Sequence, residues 1–175
     1  SVPTTPLFTA RNAANQVQPI TGGISVALDP QTFETWVFFG TGRFLVGDDL
    51  SNKDIQTWYG IKDGGSAAAA GYAITGRTQL TQRQVIYYQA AIEDDPLTLT
   101  VNESRPALRA FGPAVAGDMT NKRGWYLDLI NPPYGTTEKV GERMVFDPIL
   151  IAGKILVEAS QAPSADPCNV GGTGY

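Results

Sequence analysis

The side chains able to do chemistry in this sequence are carboxylates, with no imidazole beside them. Asp48, Asp49, Asn52 and Asp54 gather hard oxygen donors of the kind Ca2+ takes into one short stretch. Their spacing is not that of an EF-hand, and no Glu closes the loop. A solvated turn, which Asp and Asn favour through local hydrogen bonding, is the stronger reading, and no metal site is assigned. Asp94 and Asp95 precede Pro96 and read as a surface turn. Asp63, Asp128, Glu142 and Asp147 are the acids open to a glycosidase-like pair, but nothing in the spacing brings two of them face to face. Asp63 and Asp128 each end an aromatic strand, a common place for a carboxylate to cap a turn. GTG at 40–42 and GGTG at 171–174 neither open a helix nor precede Lys-Ser/Thr, so they read as turn or bulge glycines rather than phosphate cradles. No catalytic and no cofactor-binding residue follows, and the chain is expected not to be an enzyme.

Composition removes further classes. The 175 residues contain no His and one Cys, which excludes a Ser-His-Asp triad, a His-based metal centre and a Cys-rich cluster within the chain. A net charge of −4 and a pI near 4.7 argue against nucleic acid as a partner. No apolar run approaches the roughly 20 residues of a membrane-spanning helix. With 19 Gly and 12 Pro, turns are dense, which points to many short strands.

Those strands must position whatever the side chains do. Strand character falls at 20–28, at 34–39 (ETWVFF), at 43–46, at 55–61 and across 72–92, where 79–91 also suits an amphipathic helix. It returns at 97–102, 124–130, 143–146 and 149–158, the last read as one run. Residues 1–17 form a polar lead-in with Leu7 and Phe8 as a short strand or an anchor; 64–71 (GGSAAAAG) and 131–141 are loops. Short strands separated by turn signals specify an all-β, antiparallel fold, and the aromatic-Gly punctuation favours four-stranded β-propeller blades over a sandwich or barrel. The units are 18–71, a first blade; 72–158, further blade strands; and 159–175, the start of another. Trp36, Phe38, Phe39, Trp58, Tyr59, Trp125 and Tyr126 offer a sugar-stacking platform, but adjacent pairs point to opposite sheet faces, so at least half are expected to pack between blades.

FFGTGRFL (38–45), DLSN (49–52) and QTWYGIKD (56–63) together resemble the C-terminal domain of the PilC/PilY family of type IV pilus tip-associated adhesins. QPITGG (18–23), GWYLDL (124–129), GERMVFDP (141–148) and DPCNVGGTGY (166–175) match that family in the same order. The resemblance implies a modified β-propeller, here incomplete, in a secreted protein at the pilus tip or bacterial outer membrane. It implies partners among pilins or minor pilins and host-cell or abiotic surfaces, and support of pilus extension against retraction. The family's Asp-rich calcium loop and its Arg-Gly-Asp tripeptide are both missing from this sequence. Ca2+ is therefore left to the parent protein, with no cofactor in this chain. Cys168 is expected to pair with a cysteine outside the sequence. The units are longer than standard blades, so the chain reads as part of a domain, its open sheet edges covered by the rest of the propeller or by another chain. A quinone-dependent dehydrogenase propeller and a secreted carbohydrate-binding lectin are the competing readings.

Overall fold

The computed structural model describes residues 6–64, 73–90, 108–132, 139–152, 155–164 and 173–174. Eleven strands lie within them: β1 Ser25–Leu28, β2 Thr35–Gly40, β3 Thr57–Asp63, β4 Thr81–Arg83, β5 Val85–Gln89, β6 Leu108–Phe111, β7 Gly124–Asp128, β8 Ile149–Ile151, β9 Ile155–Val157, β10 Gln161–Ala162 and β11 Thr173–Gly174. The fold is all-β, and among the described residues the helical geometry is confined to two 3-10 turns, Gly47–Leu50 and Arg77–Gln79.

One five-stranded sheet, ordered β1-β2-β3-β7-β4, organises the chain. β1, β2, β3 and β7 pair antiparallel, but β4 lies parallel to β7, a departure from the all-antiparallel expectation. The remaining strands form two-stranded ribbons, β5–β6, β8–β9 and β10–β11, so among the described residues no sheet closes on itself.

Alternation along the central strands sends aromatic residues to both faces. On one face Phe39, Tyr59 and Tyr126 stand in register and form a core with Ile61, Ile74, Leu80 and Ala10. Leu7 and Phe8 pack against this core, and Phe8 bridges Ile74, so the expected anchor role of the lead-in holds. On the other face Trp58, Trp125 and Leu127 pack with Val85, Leu129 and Met144. The sheet is therefore covered on both sides, as its near-continuous apolar strands require.

Several segments depart from the sequence reading. Residues 43–46 form no strand, because the Leu45 and Val46 N–H groups bond the Asp49 carboxylate instead of a neighbouring strand. Only Ser25–Leu28 of the 20–28 segment pairs; Gly22 and Gly23 lie against Phe146 and Asp147. Residues 149–158 are not one strand but the β8–β9 hairpin, with Ala152 at φ 51° where the chain reverses. The 143–146 segment contributes only a bridge between Arg143 and Gln161. The helical alternative at 79–91 gives way to β4 and β5, and β6 carried no strand expectation at all. The strand expected at 97–102, the acidic pair 94–95, residues 65–71 and Cys168 lie outside the described residues.

Candidate functional site

The densest convergence of sequence motifs surrounds the guanidinium of Arg143, which is 3% exposed. Its Nε donates to Gly141 O (2.8 Å), Nη1 to Arg43 O (2.7 Å) and Asp49 O (2.8 Å), and Nη2 to Asn52 O (2.7 Å). One rigid fork of donors thus satisfies carbonyls of a loop that makes no ladder of its own. Burial holds the Arg143 pKa below its ordinary value. Gly42, at φ 149°, gives passage to the Arg143 side chain, donates its N–H to Pro19 O (2.8 Å) and accepts from Thr21 Oγ1 (2.9 Å). The QPIT, GTGR, DLSN and GERM segments therefore lock together at one place.

Asp49 sits inside this lock, and its carboxylate is fully engaged. Oδ1 accepts from Arg43 Nε (2.9 Å) and Oδ2 from the Leu45 and Val46 N–H groups (2.9 and 3.0 Å). The Arg43 hydrogen bond first, then the Leu45 N–H, holds its pKa down at about 2. Asn52 and Asp54 bond each other through Asn52 Oδ1 and the Asp54 N–H (2.8 Å), and Asp48 is exposed. The four candidate ligands are adjacent but do not converge, and among the described residues no three acidic or Cys side chains could hold a metal ion. Beside them lies a polar cleft of about 400 Å³, reached by Gln16, Arg43, Asn52, Asp54 and Gln56. Gln56 Oε1 is buried there and has no hydrogen-bond partner among the described residues.

Asp128 belongs to a second network. Arg77 Nη1 donates to Asp128 Oδ2 (2.9 Å) and Nη2 to Thr57 Oγ1 (2.7 Å), while Thr57 Oγ1 donates to Asp128 Oδ1 (2.7 Å). Gln18 Nε2 donates to Thr57 Oγ1 (2.9 Å), and the Tyr59 hydroxyl lies 2.9 Å from Gln18 Oε1. Arg77 Nε reaches Arg11 O (2.6 Å), and its guanidinium covers the Tyr126 ring at 4.5 Å. The network pins the lead-in segment onto the central sheet. Glu142 is also engaged: Arg109 donates to both its oxygens (2.6 and 2.5 Å) and Ser160 Oγ to Oε1 (2.5 Å). Asp128 and Glu142 thus each hold their own arginine, an arrangement for fixing backbone segments rather than exchanging protons with a substrate. Asp63 stands opposite Thr35 in the ladder, and Asp147 is exposed next to Gly23.

The aromatic residues form a ladder on each face. Lys62 covers Trp36 (5.3 Å), Trp36 stacks on Phe38 (6.0 Å, 7°), Phe38 meets Trp125 (6.4 Å), and Trp58 meets Trp125 edge-on (5.2 Å, 89°). The opposite face carries Phe8, Phe39, Tyr59 and Tyr126. Adjacent pairs do point to opposite faces, and Trp36, Phe38 and Trp125 also line a cleft of about 370 Å³ with Leu150 and Leu156. Phe39 and Tyr59 are buried in the core, whereas Trp36 and Phe38 are half-buried.

Sequence reasoning passed over Arg77, which has no motif around it, and Glu158, which closes an apolar run. Among the described residues Glu158 is the carboxylic acid whose burial drives its pKa up, to about 7. Gln18 and Arg143 lay inside quoted motifs, which was the available signal for them.

No family model matches the chain. It is 33% identical over 171 residues to a type IV pilus biogenesis factor PilY1 homolog of Xylella fastidiosa, covering 97% of this chain and 12% of that protein. It is 32% identical over 177 residues to the type IV pilus biogenesis factor PilY1 of Pseudomonas aeruginosa, covering 97% of this chain and 14% of that protein. Among solved structures, the PilY1 C-terminal domain of Pseudomonas aeruginosa superposes with a TM-score of 0.70 at 27% identity, over 93% of this chain and 32% of that one. The chain therefore spans about an eighth of the length of the curated relatives it matches.

Proposed function

We propose that this chain, a homologue of the C-terminal region of the PilY1 pilus biogenesis factors, is a binding module of a protein that supports type IV pilus assembly at the bacterial surface. The observation that carries the reading is the match along 97% of the chain, together with a solved PilY1 C-terminal domain of the same fold. The module acts by contact rather than catalysis. Its arginine locks hold loops in place, and the held loops present surface to pilins or minor pilins and to the host-cell or abiotic surfaces that pili touch. By favouring assembled pilus it opposes retraction. The module belongs to a modified β-propeller whose remaining strands cover its open edges. It uses no cofactor of its own, and Ca2+, where the parent protein takes it up, binds elsewhere in that protein. Among the described residues no helix is long and apolar enough to cross a membrane.

The test is to shear pili from cells and ask whether the parent protein comes away with them. The full protein is expected in the sheared fraction, and a version lacking these residues is expected to be depleted from it. Equal recovery of both would contradict a binding role for this module.

A further inference from the structure

A cavity of about 200 Å³ opens beside the Trp58 face of the sheet, walled by Leu127, Leu129, Met144 and Phe111. Glu158, the residue after β9, lines it together with Arg109 and Ser160. Both Glu158 carboxyl oxygens are buried without a hydrogen-bond partner among the described residues, and so is Trp58 Nε1. Glu158 Oε1 lies against Gly40, where a Cβ would collide with it, so the glycine is what admits the carboxyl group. The Trp58 indole and the Gly40 N–H lie near enough to moderate its charge, although neither satisfies it.

The charge balance decides what the cavity can take. Among the described residues Arg109 is the cation lining the cavity, and it is consumed: Nη1 and Nη2 hold Glu142 and Nε holds Asn131 Oδ1 (2.8 Å). Among the described residues no cation at the cavity is left to receive an anion. Ionised Glu158 and Glu142 against one arginine leave an uncompensated negative charge beside apolar walls and an indole ring. That combination suits a methylene stem ending in an ammonium, with the stem against the aliphatic side chains and the cation between carboxylate and aromatic ring.

We propose that the Glu158 cavity is a binding site for an alkylammonium group, such as a lysine side chain. Binding requires the carboxylate form of Glu158, whose burial raises its pKa to about 7. Among the described residues the other charged group lining the cavity is Arg109, which is paired with Glu142.

The test follows the Trp58 indole N–H resonance of the 175-residue chain during titration with Nα-acetyl-lysine methylamide, n-butylamine and the norleucine analogue, which lacks the ammonium. The lysine compound is expected to shift the resonance saturably at pH 8 and about tenfold more weakly at pH 6, where about a tenth of a group with that pKa is ionised. Glu158→Gln is expected to abolish the shift. Phe111→Ala, at an exposed wall position, is expected to weaken it several-fold while leaving the pH dependence intact. Equal binding of n-butylamine supports a site for free amines, and a several-fold advantage of the lysine compound supports a peptide source. No saturable shift with either amine at pH 8, or equal binding of the norleucine analogue, would overturn the proposal.

Discussion

Gly60 of β3 lies beneath Trp125 of β7: a Cβ placed on Gly60 would stand 2.5 Å from Trp125 Cε2 and Nε1. The two residues are cross-strand partners, and the missing side chain of one is the space the other ring fills. The YG pair of the WYGIK segment therefore does two jobs. Tyr59 enters the core on one face, and Gly60 leaves a seat for an indole on the other.

Gly60→Ala is expected to cost about 1–3 kcal/mol by overpacking. Because the clash is with one ring, Trp125→Leu should recover part of that loss in the double variant. A denaturant-melt cycle of the four proteins would show a favourable coupling. Strict additivity would mean that the ring is not what excludes the side chain.

Arg143→Met removes donors from four carbonyls at once, so a loss of about 3 kcal/mol or more is expected, with faster hydrogen exchange across 43–52. Arg143→Lys should recover only part, since one ammonium cannot reproduce the guanidinium fork. Unchanged exchange in that loop would contradict the role assigned to Arg143.

Acid should release the same loop. The folded pKa of Asp49 is depressed to about 2 from an ordinary 3.8, chiefly by Arg43. Its contribution is thus complete above pH 4 and is lost as pH falls through about 2. Loop amides followed from pH 5 to 2 should lose protection over that window, and Asp49→Asn should flatten the dependence.

Glu158 has the opposite sign. Its folded pKa is raised from 4.5 to about 7 by burial, so the folded state holds the proton more tightly and stability falls as pH rises between those values. Glu158→Gln should be close to neutral at pH 4.5. At pH 8 it should stabilise by about 1–2 kcal/mol, allowing for the part of the side chain that water screens. Parallel melts at the two pH values would reveal the difference, and identical effects would mean that Glu158 titrates normally.

The central strands were legible because their aromatic alternation has a single physical outcome, rings sent to two faces that must both be covered. Thr35–Gly40 and Gly124–Asp128 fall within a residue or two of the strands read at 34–39 and 124–130, and Thr57–Asp63 lies two residues beyond the strand read at 55–61. Residues 43–46 misled because β-propensity says nothing about Asp49, whose carboxylate captures the backbone donors a strand would need. The 149–158 run misled because apolar content does not mark a reversal, which here occurs at Ala152. The acids were visible in the sequence, but their partners were not. Arg77 is 51 residues from Asp128 and Arg109 is 33 from Glu142, separations that only the folded chain closes.

The most direct test of the proposed role counts surface pili on cells whose parent protein lacks these residues, in backgrounds with and without the retraction motor. Few or no pili are expected when the motor is present, and substantial recovery when it is absent. Normal piliation in the retracting background, with the shortened protein stably produced, would contradict it.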